Sequence, residues 1–226
     1  MKKRFNTTGS CNPAMHYMVD TSRKLAQIEE YIEEGSYFTI NRARQFGKTT
    51  TMDLLFNRLS DRYLVVQISF EGAGEQYFRD EVTFCDRFKE SIAKVLKYTP
   101  WQSERNLWIS SVRTDSLDEL SDSLTDFCMQ IERPVLLMID EVDKSSDNQL
   151  FLNFLGMLRN KYLERSRRGM TSTFHSVILA GVYDVKNLKI KLRPDEERKY
   201  NSPWNIAAKF NVDMTFHPNE IITMLN

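Results

Sequence analysis

Cysteine is scarce and follows no pairing pattern: Cys11, Cys85 and Cys128 make an odd count of three, with no Cys-x-x-Cys spacing. That excludes a disulfide framework or a zinc cluster and reads as reduced thiols in a cytosolic compartment. Histidine is equally thin; His16, His175 and His217 stand isolated, which leaves a histidine-based metal centre nothing to build on. No apolar run approaches the ~20 residues a membrane-spanning helix needs. The basic start Met1-Lys2-Lys3-Arg4 leads into Asn6-Thr7-Thr8, not into a signal-peptide core. Charge of neither sign is in excess: 31 Lys and Arg balance 31 Asp and Glu. No overall field therefore draws the chain to nucleic acid or to an anionic membrane, and any nucleic-acid contact would come from a local patch. Internal repeats and low-complexity tracts are also missing. The expectation is a soluble, cytoplasmic protein with no membrane partner, long enough at 226 residues to bury one core of its own.

What the chain does have is Arg42-Ala43-Arg44-Gln45-Phe46-Gly47-Lys48-Thr49-Thr50. It lies between the apolar run Tyr37-Phe38-Thr39-Ile40 and a helical pattern in which Met52, Leu55, Phe56 and Leu59 recur at three-and-four spacing. Backbone N–H groups in the first turn of a helix lack an intrahelical acceptor and sit at the positive end of its dipole, so a loop entering the helix can wrap a phosphate. Gly47 lets the backbone come close, Lys48 can bridge β- and γ-oxygens, Thr49 suits one position on a magnesium ion, and Thr50 is placed for the α-phosphate. The binding stretch is read as Arg44, Gln45, Phe46, Gly47, Lys48, Thr49 and Thr50, with ATP and Mg2+ as its ligands. The usual spacing G-x-x-x-x-G-K-[ST] opens on a glycine; here that position is Arg42, and every residue from Arg42 to Phe46 carries a Cβ that restricts positive φ.

About ninety residues on, Pro134 starts the run Val135-Leu136-Leu137-Met138-Ile139, the composition of a strand covered on both faces of a parallel sheet, and it ends at Asp140-Glu141. In magnesium-dependent phosphoryl chemistry a strand-end aspartate holds the metal, usually through its water, while an adjacent glutamate orients or deprotonates the attacking water. Thr49 and Asp140 are the expected metal residues; Glu141 and Lys48 are the expected catalytic groups. The bland alternative makes Asp140, Glu141 and Asp143 the polar end of a strand, with Asp143 or Ser145 capping a helix that begins near Asn148, and Asp143 is the preferred cap.

With these residues in place, the layout resembles the AAA-like ATPases of bacteria, a branch of the P-loop ATPases with an additional central strand and a catalytic glutamate. The resemblance rests on the two stretches above together with Tyr17-Met18-Val19-Asp20, Val177-Ile178-Leu179-Ala180-Gly181-Val182 and Ser202-Pro203-Trp204-Asn205-Ile206, so it covers nearly the whole chain. In that family R-x-R-x-x-G-K-[ST] commonly replaces the glycine-led loop. The resemblance implies ATP binding and hydrolysis and leaves open what hydrolysis drives.

The organisation follows. Residues 1–19 read as an extended arm. Leu25, Ile28 and Ile32 mark a helix over about 20–34, stopped by Gly35. Strands are expected at Tyr37–Ile40, Leu64–Phe70, the Asp140 run, Ser176–Val182 and a short fifth at Val212–Phe216. Helices are expected near 79–97, 116–131 and 148–165. Alternating strands and helices give an α/β, three-layer P-loop NTPase sandwich with a mostly parallel sheet. Right-handed crossovers and the family's arrangement make it five-stranded, in the order 5-1-4-3-2. The core is read as 20–217. The wider AAA type carries a helical lid after the fifth strand; here 218–226 read as the start of a truncated or missing lid, in a fragment of a longer protein or in a chain that has dispensed with it.

Other positions carry two readings each. Tyr183 or Asp184 occupies the place where related ATPases hold a polar γ-phosphate sensor, and Asp184 also suits a turn cap. Arg165, Arg167 and Arg168 suit either a solvated helix end or an arginine finger reaching a neighbouring subunit, which would require a homo-oligomer. Arg42 and Arg44 suit phosphate contact or a surface position. His16, Tyr17 and Met18 suit adenine packing or a staple holding the arm. Lys186–Phe210 suits a partner surface or a solvated connection with Trp204 tucked inward. The leading function is an ATP hydrolase serving a protein partner or effector domain. The alternative is a nucleotide-dependent switch or scaffold that binds ATP with little hydrolysis, and a small-molecule kinase stands third because no basic lid or acceptor pocket is evident.

Overall fold

Two stretches are buried at every position, Val135–Asp140 and Ser176–Gly181. Apolar on both faces, such segments are stable only as inner strands of a sheet covered above and below. They are the third and fourth strands, β3 and β4, after β1 at Tyr37–Asn41 and β2 at Leu64–Ser69. The computed structural model describes residues 3–7, 9–42, 47–110, 114–145, 148–168, 172–182 and 204–224. All strand pairs are parallel, in the order β1-β4-β3-β2. The register sets Asn41 opposite Gly181, Ile139 opposite Leu179 and Ser69 opposite Asp140. The carboxyl ends of all four strands therefore share one edge of the sheet.

Helices join the strands: α1 Ser22–Glu33, α2 Lys48–Leu59, α3 Glu81–Lys97, α4 Gln102–Ser110, α5 Leu117–Gln130, α6 Gln149–Arg168 and the short α7 Pro218–Ile222. Asp80 and Ser116 cap α3 and α5 by accepting from Thr83 N and Glu119 N. An aromatic seam fills the space between α3 and α6, where Phe154 lies 5.1 Å from Phe84 and 4.9 Å from Phe88, centroid to centroid. No helix of the described residues is long and apolar enough to cross a membrane.

The structure departs from the sequence reading in four places. Val212–Phe216 forms no strand. Asp213 Oδ1 takes the Thr215 amide, and the preceding stretch touches β1 through Ala208 N donating to Tyr37 O at 2.7 Å, while Asn211 N goes to the Tyr31 hydroxyl. Amides drawn to side chains cannot form a ladder, so the expected order loses its first member and keeps 1-4-3-2. Helix α4 was not expected: its Leu107 and Ile109 are exposed, so no apolar stripe shows, while Trp108 is buried, its indole N–H donating to Lys89 O at 2.9 Å. The arm loops round instead of extending, so that Arg4 lies beside His16 in a parallel bridge, with Arg4 N donating to Met15 O and Tyr17 N to Arg4 O.

Finally, α6 is capped not by Asp143 but by Asn148, whose Oδ1 accepts from Leu150 N at 2.8 Å and Phe151 N at 3.3 Å. Asn148→Ala is expected to cost about 1 kcal/mol, read as a lower urea midpoint at unchanged m-value.

Candidate functional site

Gly47 sits at the N-cap of α2 with φ +74° and carries no side chain to accept the first amides of the helix. A left-handed residue there is cheap only as glycine. It turns the chain into the helix, so that Lys48 becomes the first helical residue. Lys48 is 7% exposed and its ammonium donates to Arg42 O, six positions back, at 3.0 Å. Arg42 is fixed in turn by its amide, which donates to Gly181 O at 3.0 Å.

At the next residue, Thr49 Oγ1 donates to Asp140 Oδ2 at 2.8 Å. These residues are 91 positions apart in sequence and meet because β1 and β3 end at the same edge. Asp140 is 4% exposed, and its other oxygen accepts the amide of Glu141 at 2.8 Å. Glu141 has φ +57° and is, among the described residues, the sole non-glycine residue with positive φ. A left-handed non-glycine residue costs about 1–3 kcal/mol and persists where its surroundings over-determine it.

The edge thus gathers an ammonium, a hydroxyl and the Asp140 carboxylate, with Glu141 next in the chain, at the start of a helix. Among the described residues no group of three or more His, Cys, Asp or Glu could hold a metal ion by itself. One hydroxyl and one carboxylate are a fitting protein contribution for magnesium, which keeps water and substrate phosphate oxygens as its remaining ligands.

Of the expected site residues, the structure brings together Gly47, Lys48, Thr49, Asp140 and Glu141. Arg44, Gln45 and Phe46 lie outside the described residues, as do Tyr183 and Asp184. Thr50 is in contact with the arm: its Oγ1 accepts from Cys11 N at 3.1 Å, one turn from Asp53, which accepts from the Ser10 hydroxyl and from Gln67 Nε2. His16 Nδ1 accepts Asn12 N at 2.9 Å and Tyr17 packs on Phe5 at 5.0 Å, so both side chains hold the arm's own turn together. Trp204 is fully buried and stacks on Tyr37, while the connection before it lies outside the described residues.

The segment around residues 213–220 was missed as a neighbour of the site. Arg42 faces Asp213 at 3.5 Å, so it belongs to an ion pair. The Asp213 carboxyl is held well below the usual range, chiefly by the Thr215 amide and hydroxyl and then by His217. A Cβ at position 47 would lie 3.8 Å from the Phe216 ring. Lys24 anchors this segment from α1, its ammonium donating to Thr215 O at 2.7 Å and to Glu220 at 2.5 Å. The one signal in the sequence was a lysine beside Leu25 on the apolar stripe of α1.

A family model for the AAA-like domain matches residues 9–196, a span that includes every site residue above from the loop to Asp143. No match is found among curated proteins. Among solved structures, the chain is similar to the Aeropyrum pernix ORC1 protein in complex with DNA, at 14% identity and a TM-score of 0.45; the match covers 73% of this chain and 39% of that one.

Proposed function

The chain belongs to the AAA-like domain family, a family of nucleotide-binding ATPases, and from that premise we propose that it binds ATP with magnesium and hydrolyses it, turnover that drives or gates a protein partner or effector domain. The observation that carries this reading is the 2.8 Å contact between Thr49 and Asp140, which joins the phosphate-binding helix to the carboxylate strand.

The backbone amides at the start of α2 and the Lys48 ammonium bind the β- and γ-phosphates. Thr49 and Asp140 would hold magnesium, which when bound would offset charge on the phosphate oxygens. Glu141 accepts a proton from water as the water oxygen attacks the γ-phosphorus. The bond from that phosphorus to the bridging oxygen breaks, ADP leaves with the bonding pair, and the proton returns to solvent or phosphate. Lys48 gives up its contact with Arg42 O when it turns to phosphate, which links nucleotide occupancy to the start of the loop and, through Asp213, to the segment behind it.

Titration calorimetry with ATP, GTP and ADP, with and without magnesium, tests the reading. Magnesium-dependent ATP binding is expected in the wild type, with affinity at least ~100-fold weaker in Lys48→Ala as a desolvated charge-assisted contact is lost. Equal affinity in the two proteins would remove Lys48 from the site. Binding without multiple-turnover phosphate release would favour the switch.

A further inference from the structure

Asp143 is left over by the mechanism: it does not cap α6 and has no part in the proposed hydrolysis, yet its carboxylate is tightly placed. Its Oδ1 accepts the Val182 amide at 2.9 Å, at the point where the chain leaves β4. The fit leaves no slack. A Cβ on Gly181 would lie 2.8 Å from that same Oδ1, 3.1 Å from Val142 Cγ2 and 3.4 Å from the Asp143 amide, so only glycine admits the turn against the strand end. Val142 is fully buried in the same contact. Two residues before Asp143 stands Glu141, in the left-handed conformation that its own propensity disfavours. On the other side, Gly181 O accepts the Arg42 amide, and Arg42 O accepts the Lys48 ammonium.

We propose that Asp143 is a positioning residue: by holding the Val182 amide it pins the Val142–Ser145 turn to the end of β4 and thereby fixes Glu141 in register with the loop that carries Lys48. The lysine side and the glutamate side of the site are referred to one strand end. The carboxylate acts as a hydrogen-bond acceptor there, so its shape is required and its charge is not. An acceptor of the same geometry serves equally well, whereas loss of the acceptor frees the turn and lets Glu141 relax to a right-handed or extended conformation. A displacement of about 1 Å in a group acting on the reacting atoms costs on the order of 100-fold in rate.

The kinetic arm of the test rests on the hydrolysis proposed above; the exchange arm does not. In steady-state phosphate release, Asp143→Ala is expected to lower kcat by about 10–100-fold with KM and ATP affinity near wild type. Asp143→Asn, whose amide oxygen can accept the same N–H, is expected to stay within about twofold. In amide hydrogen exchange, Val182 is expected to be protected in the wild type and in Asp143→Asn and to exchange at least about tenfold faster in Asp143→Ala. Wild-type kcat in Asp143→Ala, an equal loss in Asp143→Asn, or a Val182 amide that exchanges freely in the wild type would each overturn the proposal. If the wild type shows no magnesium-dependent turnover, the hydrolysis reading fails and the exchange result alone decides on Asp143.

Discussion

Replacing Glu141 by Gln is expected to lower steady-state phosphate release by about 100-fold or more, with ATP affinity left within about twofold. The two side chains are nearly the same size, and Gln bears the left-handed backbone at 141 no worse than Glu does. What changes is the ability to take a proton from the attacking water. A 100-fold loss corresponds to about 2.7 kcal/mol of transition-state stabilisation, the lower end of what a placed general base supplies. The split between rate and affinity is the informative part, because Lys48, Thr49 and Asp140 are untouched and bind the ground state as before. Phosphate release under saturating ATP and magnesium, set beside calorimetric affinity, measures both quantities on one preparation. Unaltered turnover in the variant would sink the assignment of Glu141, and loss of affinity in step with rate would make it a binding residue.

Arg165→Ala is expected to be the most damaging of the structural changes, lowering stability by about 3 kcal/mol and the Tm by about 6–12 °C. Its guanidinium donates to three carbonyls, those of Phe174 and His175 through Nη1 and that of Gly35 through Nη2. It also lies 4.9 Å from the centre of the Tyr162 ring and 5.6 Å from that of Tyr37. One planar fork thus ties α6 to the starts of β4 and β1. Arg165→Lys should recover only part of the loss, since a compact ammonium cannot meet the same fork of acceptors. This use of Arg165 displaces both readings the sequence offered for it, the solvated helix end and the finger reaching a neighbouring subunit. Thermal unfolding followed by circular dichroism checks the shift. A Tm within 2 °C or so of the wild type would show the three contacts to be dispensable.

How far the sequence reveals this molecule depends on the kind of residue that carries each feature. The four strands were legible because an inner strand of a parallel sheet is an unbroken apolar run, and Val135–Asp140 and Ser176–Gly181 are buried at every position. The Lys48, Thr49 and Asp140 grouping was legible because strand ends of one sheet share an edge, so two local motifs meet in space without a long-range argument. Polar side chains whose partners are backbone atoms far along the chain were not legible. Arg165 among other arginines looked like a charged surface, and Asp143 looked like a cap because it precedes a helix, although its partner is 39 residues away at Val182. The stretch from Val212 looked like a strand from its residue types; its geometry was decided by Asp213, Tyr31 and Lys24, none of which marks a strand or its absence.

The placement of β1 has a consequence for how the protein is made. Among the described residues its one sheet neighbour is β4, and Tyr37 pairs with Val177 at a separation of 140 positions. The strand that carries the nucleotide loop is therefore seated by a segment that leaves the ribosome long after it. During synthesis the loop has a helix behind it but no sheet beside it, and Gly181, which accepts the Arg42 amide, has not yet been added. A nascent chain shorter than residue 181 lacks the strand end that accepts the Arg42 amide, so the start of the loop gains this anchor only when synthesis has passed β4.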